Sequence, residues 1–492
     1  MNELDAVFPK NSKNIAIIIP NGVRWNYITL EEKVSDLCIK LSDLGIGYHD
    51  RLAIVHPQDH AFVSVFFAAL RIGAHLAPLN PAYIASEFEF YLDVVKPKLI
   101  IVPQEIPDGI KIAAKNLNIP LLLINNNLVL TPVGLWTKSH PENPNPEDIA
   151  LFLHTSGTTG KPKGVPLKHR NIAASVNNIK SALELSEKDT GLCVMPLFHI
   201  HGIMVNLFAP LSVGSTVVLA PRFSASHFWN WVKTNNVNWY SAVPTIHQVL
   251  LNRADQDKAP KQSPFKFIRS SSSPLAVSTF KALEERLNCP VIEAYGMTEA
   301  SHQIATNLLP PQEHRAGTVG MGYGVEIAIL GDNNNLLSPN NLGEVLIKGP
   351  NVIDYYENNS EANRSSFIEG WFRTGDIGAL SNDGYLTLSG RIKELINKGG
   401  EKISPTEIDQ VLLSHAAIKE AASFPMPDKK YGEIPAAAVV LKKDITEKEI
   451  LDFCNKQLSS FKVPAKIFIL KELPKNATGK IQRKDLINMF KN

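Results

Sequence analysis

The segment 155–164, TSGTTGKPKG, has the composition of a loop that binds phosphate groups. Its ten residues include three glycines, four hydroxyl side chains and two lysines, and they follow an apolar run at 149–153. Glycines let backbone N–H groups turn toward an anion, and hydroxyls and lysines add donors and positive charge. The spacing is not that of a Walker loop, because two residues separate Gly157 from Gly160 and proline follows Lys161. We therefore expect a phosphate-binding loop leaving a strand; the alternative is a flexible surface linker.

Two further segments carry groups that suit a nucleotide. In 293–299, EAYGMTE, Tyr295 could stack on a base, Thr298 could donate to a phosphate and Glu299 could bind Mg²⁺. Mg²⁺ takes one or two carboxylates together with phosphate oxygens. In 371–376, WFRTGD, the Asp376 carboxylate could accept hydrogen bonds from two ribose hydroxyls. Each segment taken alone is also compatible with a structural role, in the second case a Gly-Asp turn.

Toward the C-terminus, two segments place glycines beside lysines. The first, 390–402 (GRIKELINKGGEK), precedes Ser404-Pro405-Thr406-Glu407, which predicts a helix start with a capping box and proline at the first helical position. The glycine pair should therefore lie in an exposed loop that leads into a helix. The second segment, LPKNATGK, places Lys480 directly after a glycine turn. A solvated terminal lysine is the alternative.

Three histidines are candidates for a binding pocket. His199 and His201 have a spacing that places both side chains on one face of a strand. Such a pair could bind a metal, but no Cys, Asp or third His accompanies it nearby in the sequence. His201 could instead point into a pocket or be a core histidine with satisfied hydrogen bonds. His302 follows three residues after Glu299.

The chain that must position these groups has the pattern of a layered α/β protein. Apolar runs at 15–19, 52–55, 99–102 and 121–124 have strand length, and 30–44 has apolar residues at helical spacing. Strands that alternate with helices favour parallel sheets. A polar link at 139–148, interrupted by prolines, separates this part from the strand before the phosphate loop.

Composition excludes several classes of protein. The 492 residues carry 50 basic and 48 acidic side chains, a balance that gives no sign of a nucleic-acid-binding arm or a polybasic membrane anchor. No run reaches the roughly 20 apolar residues of a membrane-spanning helix, and the N-terminus lacks the apolar core of a signal peptide. Four scattered cysteines argue against a zinc site and a disulfide scaffold. We expect a cytoplasmic protein, either a monomer or a weak dimer, that binds no nucleic acid.

The last hundred residues differ from the rest in charge. Residues 391–492 carry 19 Lys and Arg against 13 Asp and Glu, whereas residues 1–390 are net acidic. Most of the excess lies between 456 and 491. This is either a solvated lysine surface or a small basic cap that closes on a phosphate-rich ligand.

The order and spacing of these five segments resemble the acyl-adenylate-forming superfamily, which includes acyl-CoA synthetases, luciferases and peptide-synthetase adenylation domains. The resemblance covers the chain from about residue 10 to about residue 490. It implies an α/β fold, with a large layered N-terminal domain over 1–390 and a small mobile α+β domain over 391–492 that rotates on a hinge at Lys393. It also implies that the protein uses ATP, Mg²⁺ and CoA to form an acyl-adenylate and then an acyl-CoA.

The resemblance also implies a role for each motif residue. Lys480 bridges the substrate carboxylate and the α-phosphate, Thr298 holds the α-phosphate, Glu299 binds Mg²⁺, and His199 walls the acid site and the thiol entry. The residues implied to contact ATP or AMP are Thr155, Ser156, Gly157, Thr158, Thr159, Lys163, Ser271, Ser272, Ser273, Glu293, Ala294, Tyr295, Gly296, Thr298, Asp376 and Arg391. Those implied to contact the acid are His201, His302 and Ser271. Those implied to contact CoA are Lys398, Gly399, Gly400 and Glu401.

Within the superfamily, the sequence most resembles the oxalate–CoA ligases of plants and fungi. The resemblance is carried by MPLFHIHG (195–202), RSSSSPLA (269–276) and EAYGMTEASHQ (293–303), among others. Polar pocket residues also favour a small polar acid, because a second carboxylate would be costly to bury unpaired. Oxalate is therefore the expected acid. The alternatives are a medium-chain or 4-coumarate-like acid and an adenylating enzyme that does not use CoA.

Overall fold

The computed structural model describes residue 9 and residues 11–132, 143–155, 163–476 and 478–490. Over these ranges, three sheets form a large N-terminal part and a fourth sheet forms a smaller C-terminal part. This confirms the predicted fold class. The helices are α1 (Tyr27–Asp43), α2 (His60–Arg71), α3 (Ala85–Val95), α4 (Asp108–Asn116), α5 (His169–Ala182), α6 (Ala209–Ser212), α7 (Ala225–Thr234), α8 (Pro244–Asn252), α9 (Val277–Leu287), α10 (Ser360–Ser366), α11 (Pro405–Ser414), α12 (Glu447–Gln457) and α13 (Arg483–Met489).

The first two sheets are largely parallel, as the alternation of strands and helices predicts. In spatial order, one contains β7 (Leu130–Pro132), β6 (Leu121–Ile124), β5 (Leu99–Pro103), β3 (Arg51–Ile54), β4 (His75–Pro78), β8 (Ile149–Thr155) and β9 (Lys163–Lys168). The other contains β16 (Met321–Gly322), β15 (His302–Thr306), β14 (Val291–Met297), β13 (Phe267–Ser270), β12 (Trp239–Ala242), β10 (Thr190–Cys193), β11 (Thr216–Leu219), β1 (Ile15–Ile18) and β2 (Arg24–Asn26). β1 is separated from β3 in space, since it pairs in parallel with β11.

A large hydrophobic core connects the two sheets and fixes the segment that follows the histidine pair. Nearly every side chain of α2 is buried, and Asp59 caps the helix by accepting a hydrogen bond from Phe62 N at 2.9 Å. Phe66 and Phe67 of this helix pack on Phe208, with ring centroids 5.4 and 5.2 Å apart. Phe208 ends a π-helical turn, Gly202–Phe208, that begins directly after His201. Core packing therefore determines where His201 lies.

The third sheet is antiparallel and carries one of the nucleotide motifs. It contains β17 (Glu326–Leu330), β18 (Gly343–Lys348), β20 (Trp371–Leu380) and β19 (Phe367–Ile368), with β21 (Leu386–Arg391) paired to β20. The pairing places Asp376 of β20 opposite Arg391 of β21. After Arg391 the chain leaves this sheet through a 3₁₀ turn, Ile392–Glu394, and enters the fourth sheet.

The C-terminal part has its own sheet and its own core. The sheet contains β23 (Glu401–Ile403), β22 (Ile396–Lys398), β25 (Gly432–Leu441) and β24 (Ile418–Asp428), with β26 (Ile467–Ile469) beside β25. Helix α11 begins as predicted, with proline first and the Ser404 hydroxyl accepting from Glu407 N. The predicted capping box is wrong in its second half. The Glu407 carboxylate binds Lys462 at 2.7 Å, and so does not return to the helix start.

No helix in the described ranges is long and apolar enough to cross a membrane.

Candidate active site

The phosphate-loop segment connects two paired strands. β8 ends at Thr155, β9 begins at Lys163, and these two residues are partners in the antiparallel register. The segment thus leaves a strand, as predicted, and returns to the same sheet. Ser156, Gly157, Thr158 and Thr159 lie outside the described residues.

The structure brings the predicted metal ligand to the ends of this loop. Glu299 is buried in a 3₁₀ turn after β14, and its Oε1 accepts hydrogen bonds from the hydroxyls of Tyr356 (2.8 Å) and Thr155 (3.4 Å). Lys163 Nζ lies 4.2 Å from the centre of the Tyr356 ring. One carboxylate beside phosphate-binding groups fits Mg²⁺ carried by ATP. Among the described residues, no group of three or more His, Cys, Asp or Glu could hold a metal ion alone.

Three of the predicted nucleotide residues form one cluster. Arg391 Nε lies 2.9 Å from Asp376 Oδ1, and the Tyr295 hydroxyl donates to the other carboxylate oxygen. Burial, and then the negative charge of Asp376, raise the pKa of Tyr295 well above its ordinary value, so the phenol keeps its proton. The Asp376 carboxylate is consequently fixed in orientation beside the nucleotide motif, where ribose hydroxyls can donate to it.

The serine loop is joined to β14 by its side chains. Ser271 Oγ donates to Ala294 O at 2.9 Å, and Glu293 Oε1 accepts from Leu275 N at 3.0 Å. Burial raises the pKa of Glu293 to about 8. These contacts give Glu293 and Ser271 a role in holding the predicted adenine loop. Since the hydroxyl proton of Ser271 is engaged by a backbone carbonyl, the assignment of this residue to the acid pocket gains no support.

The neighbouring serines complete this loop. Ser273 Oγ donates to Ser272 O at 2.8 Å, which folds the loop on itself. Ser272 has φ of 72°, a left-handed conformation that is uncommon for a residue other than glycine. The conformation directs the Ser272 hydroxyl to His201, whose Nδ1 lies 3.0 Å away. Ser272, and not Ser271, is thus the hydroxyl that contacts the predicted acid-binding histidines.

Lys480 is held against the large domain by the loop that carries it. The Thr245 hydroxyl, on α8, donates to Gly479 O at 3.2 Å. Burial lowers the pKa of Lys480, and the charge of Arg391 lowers it further, while Asp376 acts in the opposite direction. The groups that shift the pKa of Lys480, Arg391 and Asp376, belong to the nucleotide cluster, where the sequence predicts that this lysine acts.

Lys480 also faces the first of the histidines. Burial lowers the pKa of His199 to about 4, and the charge of Lys480 contributes to this shift. His199 Nδ1 accepts from the backbone N of His201 at 3.3 Å. The charge of Lys480 therefore acts on a neutral His199, whose ring is hydrogen-bonded to the backbone of His201.

Of the predicted CoA residues, Gly399, Gly400 and Glu401 are exposed, whereas Lys398 is partly buried and donates to Phe461 O at 3.0 Å. Gly399 and Gly400 form the turn of a tight hairpin between β22 and β23, with φ of 62° and 101°. The predicted loop before α11 is thus a hairpin, whose first strand ends at Lys398 and whose second begins at Glu401. A Cβ added to Gly400 would meet no atom within 4 Å. Lys393 lies in the 3₁₀ turn between the third and fourth sheets.

A cavity of about 530 Å³ opens beside the lysine loop. Its walls are mainly apolar and include Met195, Phe198, Phe223 and Ile246 of the large domain and Gly479 of the small one. The cavity therefore runs along the segment that carries His199 and reaches the contact between the two domains.

The two predicted acid-binding histidines contact each other. The rings of His201 and His302 stack with centroids 4.9 Å apart and planes inclined by 19°. His201 Nε2 lies 2.7 Å from Ser241 Oγ. Burial, followed by the charges of its neighbours, lowers the pKa of each histidine well below the ordinary value, so both are neutral at pH 7. His302 has φ of 92°, a strained conformation of the kind found at functional sites.

A close approach between two strands fixes the position of His302. A Cβ on Gly296 of β14 would lie 2.0 Å from His302 O and 3.2 Å from His302 Nδ1, so only glycine fits there. The Nδ1 atom consequently faces the EAYGMTE strand that also carries Tyr295. This contact joins the predicted acid pocket to the nucleotide motif.

The sequence interpretation missed Arg269, the residue behind this pocket. Its side chain is 0% exposed, and its guanidinium donates to His302 Nε2 (3.3 Å), Ser241 Oγ (3.3 Å) and Gln303 Oε1 (3.4 Å). Burial lowers the pKa of Arg269 to about 9, so it is still charged at neutral pH. Within the described residues no carboxylate pairs with it. An arginine inside the apolar run FKFIRS was the available signal, because such a run predicts a buried strand.

Comparison with known proteins agrees with this geometry. The chain matches the family models "AMP-binding enzyme" over residues 5–357 and "AMP-binding enzyme C-terminal domain" over residues 407–480. It is 47% identical to the oxalate–CoA ligase of Arabidopsis thaliana, covering 99% of this chain and 98% of that protein. It is 45% identical to "Probable CoA ligase CCL9" of Humulus lupulus, covering 96% and 93%. The ATP-bound structure of MatB from Rhodopseudomonas palustris superposes with a TM-score of 0.91 at 25% identity, covering 100% and 99%.

The chain therefore belongs to the AMP-binding enzyme family. It is an AMP-forming acyl-CoA synthetase, an acid–thiol ligase whose substrates are a carboxylic acid, ATP and CoA, with Mg²⁺ as the metal.

Proposed function

We propose that the acid is oxalate and that the product is oxalyl-CoA. The observation that carries this proposal is Arg269, a buried cation whose hydrogen-bond partners among the described residues are all neutral. A buried charge without a counter-charge is costly, and an anion bound nearby relieves that cost. An acid with a second carboxylate brings such an anion into the pocket and keeps the first carboxylate free to react.

The direct contact to the second carboxylate is made by His302 in this proposal. An arginine is only a donor, so His302 Nε2 must accept from it, and the proton of the neutral imidazole must sit on Nδ1. Nδ1 faces the nucleotide strand at Gly296. Arg269 thus sets the tautomer that turns His302 into a donor toward the substrate, and adds positive potential behind it.

The size of the acid follows from the packing of the pocket. His201 and His302 are stacked, and both are buried with Ser241 and Arg269 behind them. A polar wall of this kind offers little apolar surface to a fatty or aromatic chain, which gains about 25 cal/mol per Å² only when it meets apolar surface. The name of the Arabidopsis relative supports the same acid. That of the Humulus relative leaves the acid open.

In the first half-reaction, the acid carboxylate attacks the α-phosphorus of ATP and pyrophosphate leaves. Lys480 neutralises the charge that gathers between the carboxylate and the α-phosphate, and Thr298 donates to the α-phosphate. Asp376 accepts from the ribose hydroxyls, and Lys163 holds the outer phosphates. Mg²⁺, held by Glu299, neutralises phosphate charge when it is bound with ATP.

In the second half-reaction, the thiol of CoA attacks the acyl carbon and AMP leaves. The small domain turns at Lys393, which withdraws Lys480 and brings the hairpin of Gly399 and Gly400 to the large domain. In this proposal the pantetheine arm enters through the apolar cavity of about 530 Å³ that lies between the segment before His199 and the loop that carries Lys480. We assign the arrangement in which the loop of Lys480 contacts the large domain and the hairpin is exposed to the adenylation step.

The test is AMP formation that depends on both CoA and acid, measured with oxalate, malonate, acetate, 4-coumarate and octanoate. We expect kcat/KM for oxalate to exceed that for acetate, 4-coumarate and octanoate by at least about tenfold, because a pocket built to bind a second charged group rejects acids that lack it. Highest activity with 4-coumarate or octanoate would overturn the proposal and favour the alternative acids. Turnover without CoA would indicate an adenylating enzyme of another kind.

A further inference from the structure

Tyr356 lies between the metal side and the phosphate side of the site. It follows β18 and precedes α10, and it is 3% exposed. Its backbone is fixed from both directions by one side-chain amide: Tyr356 N donates to Asn363 Oδ1 at 2.6 Å, and Asn363 Nδ2 donates to Tyr356 O at 3.0 Å. The ring therefore has little freedom to move.

The two ends of this side chain contact two different functional groups. The hydroxyl donates to Glu299 Oε1 at 2.8 Å. The ring face lies under the Lys163 ammonium, with Nζ 4.2 Å from the ring centre, well inside the range of a cation–π contact. A single tyrosine thus touches the carboxylate proposed for Mg²⁺ and the lysine proposed for the outer phosphates.

The backbone around Tyr356 makes the same connection. Ile353 N donates to Glu299 O at 2.9 Å, and Glu357 N donates to Gly164 O at 3.1 Å. The segment 353–357 therefore spans from the turn that carries Glu299 to the strand that carries Lys163. Tyr356 lies within that span.

The hydroxyl also determines which carboxylate oxygen remains available. Both donors to Glu299, the hydroxyls of Tyr356 and Thr155, bind Oε1. Within the described part of the chain, no residue donates a hydrogen bond to Oε2. A carboxylate held by one oxygen presents the other in a fixed direction, which is what a metal ligand requires.

We propose that Tyr356 is a positioning residue with two separable effects: its hydroxyl orients Glu299 for Mg²⁺, and its ring holds Lys163 for the outer phosphates of ATP. The hydroxyl should affect ATP binding only when the metal is present. The ring should affect it with or without metal. This rests on the proposed roles of Glu299 and Lys163 and is independent of which acid the enzyme uses.

The experiment measures ATP binding by calorimetry on the full-length protein without acid or CoA, so that no turnover occurs. Titrations are done with excess Mg²⁺ and, separately, with EDTA. We expect Tyr356→Phe to weaken ATP binding about tenfold in Mg²⁺, the size of one charge-assisted hydrogen bond, and to leave it unchanged in EDTA. Tyr356→Leu should also weaken binding in EDTA, by about threefold to tenfold. Tyr355→Phe, the matched control, should change neither.

Equal losses for Tyr356→Phe in Mg²⁺ and EDTA, or no loss in either, would overturn the role of the hydroxyl. Identical EDTA affinities for the Phe and Leu variants would overturn the role of the ring. Unfolding midpoints without ligand identify a variant that is merely damaged, and Tyr356→Met replaces a leucine variant that does not fold. Glu299→Gln should abolish the gain from Mg²⁺. If it does not, the metal assignment itself fails, a result distinct from failure of the role of Tyr356.

Discussion

The active site contains two charged clusters that are built in opposite ways. On the phosphate side, Glu299 and Lys163 carry opposite charges and are both held by Tyr356. On the acid side, Arg269 is buried among neutral acceptors, and His201 is neutral as well. The first cluster is balanced within the protein. The second has a net positive charge among the described residues.

The phosphate-side cluster serves the binding of Mg²⁺ and ATP, which every enzyme of this reaction class needs. We assign the acid-side cluster to the binding that selects the acid. Mg²⁺ and ATP bring opposite charges, so a site for them can be electrically balanced in advance. An acid that carries a second carboxylate brings only negative charge, so its pocket must hold the positive charge beforehand. The uncompensated cluster is thus where we expect acid specificity to reside.

The largest expected effect concerns Lys480, the charge carried by the loop of the small domain that contacts the large one. Lys480→Ala should lower the rate of adenylate formation by about 10²–10³-fold, since it removes a preorganised charge at the transition state. It should largely spare thioester formation from preformed acyl-adenylate. Both rates are measured in single turnovers, with the exposed Lys484→Ala as control. Equal loss in both half-reactions would contradict the two-conformation assignment.

The role assigned to the charge on the acid side is tested directly by removing Arg269, the cation that has no carboxylate partner among the described residues. Arg269→Met should lower the ratio of kcat/KM for oxalate over acetate by roughly 30- to 100-fold, because it removes both the positive potential and the donor that sets the His302 tautomer. The fold should keep its stability, since replacing a buried unpaired charge with an apolar side chain of similar length is often neutral or stabilising. Arg286→Met, at a surface ion pair, is the control. An unchanged ratio would mean that Arg269 does not select the acid.

A smaller effect is expected at the proposed contact itself. His302→Ala should lower the same ratio by at least about tenfold, because one hydrogen bond to the distal carboxylate is lost. Combined with Arg269→Met, it should add less than its separate effect, since Arg269 acts partly through His302. Using acetate as reference removes any general damage to ATP binding. If the fold-changes of the two substitutions simply multiply in the double variant, Arg269 does not act through His302.

The sequence predicted the phosphate side better than the acid side, for a physical reason. Thr155, Lys163 and Glu299 belong to short segments whose composition alone indicates phosphate and metal chemistry. Arg269 and Tyr356 act through contacts that only the folded chain makes, such as that between Tyr356 and Lys163, which are far apart in the sequence. Nothing local in FKFIRS or DYYENN specifies those partners.

The same limit applies to the fold. Alternating apolar runs and helical spacing were enough to predict the layered α/β class, since both patterns are local. They do not determine that β1 joins the sheet of β11, about two hundred residues later, because long-range pairing depends on the whole topology. The Glu407 side chain departs from its predicted cap for a related reason, since a lysine from a distant loop offers it an ion pair.

The smallest effect concerns pH and distinguishes the buried histidines from exposed ones. Burial, together with the charge of Arg269, keeps the pKa of His302 well below the ordinary 6.5, so the folded protein holds this imidazole neutral. The unfolded chain binds a proton below pH 6.5 and the folded chain does not. The stability due to His302 is therefore fully present above pH 6.5 and is lost as the pH falls from there toward the folded pKa. At pH 5.5, about one unit below the ordinary value, the loss should be on the order of 1 kcal/mol. His302→Gln should remove this part of the acid destabilisation. The urea midpoint of this variant should therefore shift less between pH 7.5 and 5.5 than that of the wild type.

The control is His227→Gln, at an exposed position on α7, whose urea midpoint should shift as much as that of the wild type. An equal shift in all three proteins would mean that His302 titrates in the folded state as it does in the unfolded chain.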